Sequence, residues 1–190
     1  MQQFFSKHWL LICIVALGLS LRLYKIDTPL LDWHSWRQAD TASVTREYIK
    51  QSIDPLRPKY HDLSNIPSGK DNPIGYRMVE FPLYNLIGAI IIQQFPEFSL
   101  VIVSRLISVF FSMGSLICIF FLAHWQFGKK AGYLSAFFFA TIPYTVYYTR
   151  VILPEPTMLF FSLYSLVAFK QYLRSGKPVF YLASLGGLMI

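Results

Sequence analysis

Acidic residues are missing from every long apolar run of this sequence. Nine of the ten fall between Asp27 and Glu97, and the tenth, Glu155, stands alone in R-V-I-L-P-E-P. A carboxylate at the centre of a spanning helix costs about 2.5 to 3.5 kcal/mol even on lenient scales, so this partition is the one a bilayer imposes. Charge of either sign is scarce, at 14% against roughly 25% in ordinary soluble domains, which argues against a soluble protein. The net charge of +7 comes from basic residues scattered along helix ends and one polar loop. Without a dense basic cluster or a recognisable reader motif, nucleic acid is not an expected partner. Cysteine is nearly absent: Cys13 and Cys118 both lie in apolar runs without metal-ligand spacing, and are expected to be small buried hydrophobes. No Gly-rich phosphate loop, Cys pair, H-E-x-x-H or G-x-S-x-G is present, which removes the common soluble enzyme classes.

What the chain does contain is apolar runs, at 54% hydrophobic and 17% aromatic residues. A hydrocarbon core of about 30 Å needs about 20 helical residues. Trp9 to Tyr24 is the first candidate span, with Lys7, Arg22 and Lys25 at its ends; their stems can snorkel. It reads as an uncleaved anchor rather than a signal peptide, because the apolar run continues past Ala16, Leu17 and Gly18 and four more follow. Leu100 to Trp125 is a second span with Arg105 near its outer end, Ala131 to Tyr148 a third with a bend at Pro143, and Pro156 to Tyr172 a fourth. Val179 opens a run that is expected to be an incomplete last helix. The expected organisation is therefore a first transmembrane helix over 1–26, an outer loop with interfacial helices over 27–99, and transmembrane helices over 100–190.

Inside the polar stretch, Asp40 to Gln51 is expected to be a short amphipathic helix with Val44, Tyr48 and Gln51 on one side and Asp40 as its N-cap. Phe81 to Phe95 covers only about 22 Å at 1.5 Å per residue, so it is expected to be interfacial rather than spanning. That choice leaves Lys129-Lys130 and Arg174/Lys177 on the same side as the N-terminus, as the positive-inside rule prefers. It also sends Asp40, Glu80 and Glu155 to one outer face.

The densest constellation is W-H-S-W-R-Q-A-D-T at 33–41. Rings such as Trp36 stack on sugars or anchor at headgroup depth, Arg37 can grip phosphate, and Asp40 can serve as a base, with His34 nearby. The plainer reading is an interfacial aromatic belt and a helix cap. Glu80, ahead of F-P-L-Y, is either a ligand for acceptor or metal or a carboxylate at a helix N-terminus. Arg150 and Glu155 flank V-I-L-P and are either site residues or an interfacial ion pair.

Five stretches in order carry a resemblance: H-S-W-R-Q-A-D-T-A-S-V-T-R-E-Y, E-F-P-L-Y-N, S-R-L-I-S-V-F-F-S, H-W-Q-F-G-K-K-A-G-Y-L-S-A and Y-Y-T-R-V-I-L-P-E-P-T-M-L-F-F. The series resembles the N-terminal part of glycosyltransferase family 39, the protein mannosyltransferase-like enzymes related to bacterial aminoarabinose transferases. The resemblance implies an all-α GT-C membrane fold and a polyprenyl-phosphate-linked sugar as donor. The acceptor would be a protein, lipid or glycan, with membrane lipids as further partners. It implies a bacterial inner membrane with the catalytic face outside the cytoplasm. Asp40 matches the family's first-loop acid, Glu80 the acid before its P-P-L-Y-type motif, and Glu155 its second-loop acid, where Asp is common. Asp40 and Glu155 are thus the expected catalytic pair. Arg37, Trp36, His34, Arg150 and Glu80 are the expected substrate contacts, and Glu80 the candidate ligand of a divalent metal ion. The competing readings are a non-enzymatic transporter or assembly subunit, which would put polar residues within its spans, and an inert truncated transferase.

Overall fold

A computed structural model describes residues 2–30, 33–64 and 69–188, with side chains from Trp9 onward. Among the described residues the fold is all-α, with one isolated antiparallel β-bridge between Lys59 and Tyr76. The helices are α1 (Gln2–Leu23), α2 (Ser35–Lys50), α3 (Leu83–Gln94), α4 (Leu100–Phe127), α5 (Lys129–Thr141), α6 (Pro143–Tyr148), α7 (Glu155–Ser175) and α8 (Pro178–Leu188). They fall into two compact units. One comprises Met1–Tyr24, Val109–Arg150 and Glu155–Ile190; the other comprises Lys25–Ser108 and Val151–Pro154.

The first unit is apolar. Ile14 of α1, Leu116 and Phe120 of α4, and Ala136 and Ala140 of α5 form its buried cluster. Helices close up where side chains vanish: a Cβ on Gly132 would sit 2.9 Å from the His124 Cβ and 3.0 Å from the Phe120 carbonyl oxygen. Helix α4, at 28 residues, is the described helix long and apolar enough to cross a membrane. The apolar stretches Trp9–Leu23, Leu83–Gln94 and Pro178–Leu188 are shorter. Cys118 is buried as expected, but Cys13 lies exposed on α1.

The expected single span over 131–148 is two helices. Pro143 pushes the residue before it out of the helical region, and Ile142 sits at φ −59°, ψ 124° between α5 and α6. The break strands carbonyls. The oxygen of Phe139 would normally accept from the N–H of residue 143, which proline lacks. Fully buried Arg22 of α1 takes over: its Nη2 donates to the Phe139 oxygen at 3.1 Å and its Nη1 to that of Ala140 at 3.2 Å. Its Nε donates to Thr149 Oγ1 at 2.8 Å, just past the end of α6. One guanidinium thus satisfies both sides of the bend.

The second unit is a polar mortise. Val44 and Tyr48 of α2 meet Ala89 of α3, with Ile49, Ile53 and Tyr60 around them. The rest of the α2–α3 seam is hydrogen-bonded: Asn85 Nδ2 donates to the Thr41 carbonyl at 2.6 Å and to Thr45 Oγ1 at 3.0 Å. Gly88 leaves room for Thr45, whose Cγ2 would lie 3.3 Å from an added Cβ. The buried face of α2 is mostly Gln38, Thr41, Ala42, Ser43 and Thr45, so it is less amphipathic than expected. Gln51, expected on that face, is exposed at the C-cap.

The V-I-L-P segment belongs to this unit through main-chain bonds. Gln38 Oε1 accepts from the Ile152 N–H at 3.3 Å, and Ser108 Oγ donates to the Val151 carbonyl at 2.8 Å. Tyr84 OH, itself buried, donates to the Ser104 carbonyl at 2.6 Å beside Ser108. Arg105, fully buried, holds the chain after α1 through the carbonyls of Ile26 and Thr28 and the Thr28 hydroxyl.

Candidate functional site

Helix α2 starts five residues before Asp40. His34 adopts a left-handed conformation at φ 57° and serves as the N-cap position, without a side-chain cap bond. Asp40 is therefore not the N-cap but the sixth residue of the helix. The correction has a chemical consequence. A capping carboxylate spends itself on backbone N–H groups, whereas an interior one projects outward. Arg37 and Asp40, three residues apart, lie on one face of α2, and Trp36 is one turn before Asp40. The Trp36 indole is 65% exposed.

A second charged pair comes from the loop before α3. Asn72 folds this loop: its Oδ1 accepts from the Tyr76 N–H at 2.9 Å while its Nδ2 donates to the Tyr76 carbonyl at 3.0 Å. Gly75 turns with φ 71°, and a Cβ there would fall 2.6 Å from the Tyr60 carbonyl oxygen, so only glycine fits. The turn sets Tyr76 opposite Lys59, with Arg77 N–H donating to the Pro58 carbonyl and Tyr60 N–H to that of Gly75, both at 2.8 Å. Arg77 then lies against α2.

Four charges meet as two pairs. Arg77 Nη1 lies 3.4 Å from Asp40 Oδ2, and Arg37 Nη2 lies 3.4 Å from Glu80 Oε2. Both separations exceed the 2.7–2.9 Å of a tight charge-assisted bond, so the pairs are loosely made. The Arg77 side chain is only 9% exposed, and the Asp40 side chain 26%. Arg77 also stacks its guanidinium 5.2 Å from the Tyr60 ring centroid, and its Nε is buried without a hydrogen-bond partner among the described residues. A buried N–H left that way costs about 1–3 kcal/mol unless something polar reaches it.

Burial pushes the Asp40 carboxyl above its ordinary 3.8; Arg77 pulls it down, Asp62 pushes it up, and Arg37 pulls it down. The result is a stronger base than a surface aspartate, still accessible from one side. Asp62 itself is held low by the Ser64 side chain and N–H.

The structure therefore brings together Asp40, Arg37 and Glu80 from the expected set, and adds Arg77, which the sequence analysis did not single out. Glu80 does not cap α3, whose N-cap position is Pro82. His34 and Trp36 sit exposed at the start of α2. Arg150 and Glu155 belong to the first unit. There Arg150 Nη1 donates to the Tyr24 carbonyl at 2.7 Å, and Glu155 is the exposed first residue of α7, where a helix N-terminus favours an anion. Among the described residues no three His, Cys, Asp or Glu side chains gather, and Glu80, the expected metal ligand, faces the Arg37 guanidinium.

A family model described as dolichyl-phosphate-mannose-protein mannosyltransferase matches residues 82–190. That stretch contains Arg150 and Glu155 and begins two residues after Glu80. No curated protein and no solved structure matches the chain.

Proposed function

The chain belongs to the dolichyl-phosphate-mannose-protein mannosyltransferase family of GT-C glycosyltransferases, and from that premise we propose that Asp40 is the base of a sugar transfer from a polyprenyl-phosphate donor. The acceptor hydroxyl gives its proton to Asp40 as its oxygen attacks the anomeric carbon. The bond from that carbon to the phosphate oxygen breaks on the opposite face, inverting the configuration. The lipid phosphate departs carrying an extra negative charge, which needs cations rather than an acid. Arg37 and Arg77 are the cations we assign to it; each is now 3.4 Å from a carboxylate and could exchange that loose partner for phosphate oxygens.

The observation that carries this reading is the half-buried Asp40, raised in basicity and faced by a guanidinium with an unfilled N–H. The catalytic face would lie outside the cytoplasm, in a bacterial inner membrane. Trp36 and His34 are proposed as contacts for the sugar.

Transfer of mannose from polyprenyl-phosphate mannose, measured in proteoliposomes for wild type and Asp40→Asn, tests it. A loss of about 10²- to 10⁴-fold in kcat is expected for removal of a general base. An undiminished rate would remove Asp40 from the chemistry.

A further inference from the structure

A cavity of about 250 Å³ opens in the second unit at the far end of α2, with Glu47, Gln51, Asp54, Arg57, Lys59 and Tyr76 in its lining. Resting on the transferase reading above, we propose that it is a carbohydrate subsite for the acceptor.

The lining argues for the ligand's chemistry. Glu47 and Asp54 are matched by Arg57 and Lys59, so the site has no excess charge to hold a phosphate. The charges are also already engaged: Arg57 Nε donates to Asp54 Oδ2 at 2.9 Å, and Lys59 Nζ to Gln51 Oε1 at 3.3 Å. Gln51 Nε2 in turn donates to Glu47 Oε2 at 2.6 Å, and Glu47 Oε1 pairs with His61 Nε2 at 2.8 Å. The network fixes these side chains without exhausting them, since an ammonium has three N–H donors, a guanidinium five, and a carboxylate about four acceptor sites. The wall thus carries both donors and acceptors. A hydroxyl group, which both donates and accepts, suits such a wall; an anion or an alkyl chain does not. The half-buried Tyr76 adds an aromatic ring for a sugar's C–H face.

Position argues for the role. Glu47 lies seven residues past Asp40 on one helix, about 10 Å along its axis, the reach of a disaccharide. The two places also share a support. In the Lys59–Tyr76 bridge, Lys59 and Tyr76 line the cavity, while Arg77, the next residue, turns to Asp40. A sugar held in the cavity would keep the adjoining hydroxyl of the same acceptor near the base.

Saturation-transfer NMR with methyl α-mannoside on the detergent-solubilised protein tests the site without needing turnover. Saturable binding in the millimolar range is expected, weakened about tenfold by Lys59→Met and by Gln51→Ala and unaltered by Asp40→Asn. Gln51 is exposed, so its variant keeps the fold, and an unchanged thermal midpoint verifies that. In the transfer assay Lys59→Met should raise the KM for a glycan acceptor about tenfold. No saturable binding, binding indifferent to both variants, stronger competition by inorganic phosphate, or displacement by a sugar-free Ser/Thr peptide at lower concentration would each overturn the proposal. Mannoside binding with full activity in Asp40→Asn would instead defeat the base assignment and leave the cavity's ligand standing.

Discussion

Arginine is used in two different ways in the two units. In the apolar unit, Arg22 gives its donors to the main-chain carbonyls of Gly18, Phe139 and Ala140 and to the hydroxyl of Thr149. In the polar unit, Arg37 and Arg77 face carboxylates at 3.4 Å. A carbonyl of a broken helix has no alternative partner once buried, so the first arrangement is a permanent cross-link. A carboxylate beside solvent can be exchanged for another anion, so the second is poised to rearrange. Arg105 shows that the distinction follows the partner and not the unit, since it too serves carbonyls while sitting among the polar elements. Chemistry is to be sought where guanidinium meets carboxylate.

The largest change should come from breaking the cross-link. Arg22→Met leaves the Phe139 and Ala140 carbonyls unsatisfied, at about 1–3 kcal/mol each, and a loss of about 3 kcal/mol is expected in the unfolding free energy measured in detergent. Adding Pro143→Ala restores the missing N–H, lets α5 run on, and should recover part of that loss; strict additivity would contradict the account of the bend.

Arg77→Gln should lower kcat about 10²-fold, as for removal of one donor to a developing anion, with little effect on unfolding. It also carries a pH signature. On the proposed mechanism transfer needs ionised Asp40, so kcat/KM is expected to rise with pH through a value above 3.8. Removing Arg77, which lowers that value, moves the acid limb to higher pH; Asp62→Asn, which removes a raising charge, moves it to lower pH. Stability has the opposite slope. Between 3.8 and Asp40's raised folded value the native state holds more protons than the unfolded chain, so stability falls as pH rises through that window. A pH–rate profile unmoved by either variant would separate Asp40 from both neighbours.

Within the polar unit, Asn85→Ala should cost about 2 kcal/mol, because it opens the seam at the Thr41 carbonyl and the Thr45 hydroxyl. A smaller loss would mean that water replaces the amide. The smallest effect is expected for Arg57→Ala. Its pair with Asp54 is solvent-exposed at 67% and 38%, and such pairs contribute less than about 1 kcal/mol.

The sequence made the helices legible wherever apolar residues run together, and the break at Pro143 could be read from proline's missing N–H. It concealed the start of α2, because Ser35 to Ala39 offers no apolar periodicity and His34 enters the helix by backbone conformation alone. Asp40, Arg37 and Glu80 were recognisable by residue type. Their pairing was not, since the charges meet across 37 and 43 residues of chain. Arg77 escaped notice for the same reason. The available signal was the Asn72-to-Gly75 turn just before it, which demands a fixed backbone and so implies that the next side chain is aimed at something.

The clasp at the proline bend also imposes an order on synthesis. Arg22 leaves the ribosome more than a hundred residues ahead of its acceptors, which lie 117 and 118 positions later. Until α5 arrives, the first helix must keep its guanidinium in water, at the membrane surface, or within the insertion machinery. Only when the broken helix presents its two bare oxygens can that charge be drawn inside. The proline break is thus the receptor for the first helix, and the apolar unit can close only after its middle third has been made.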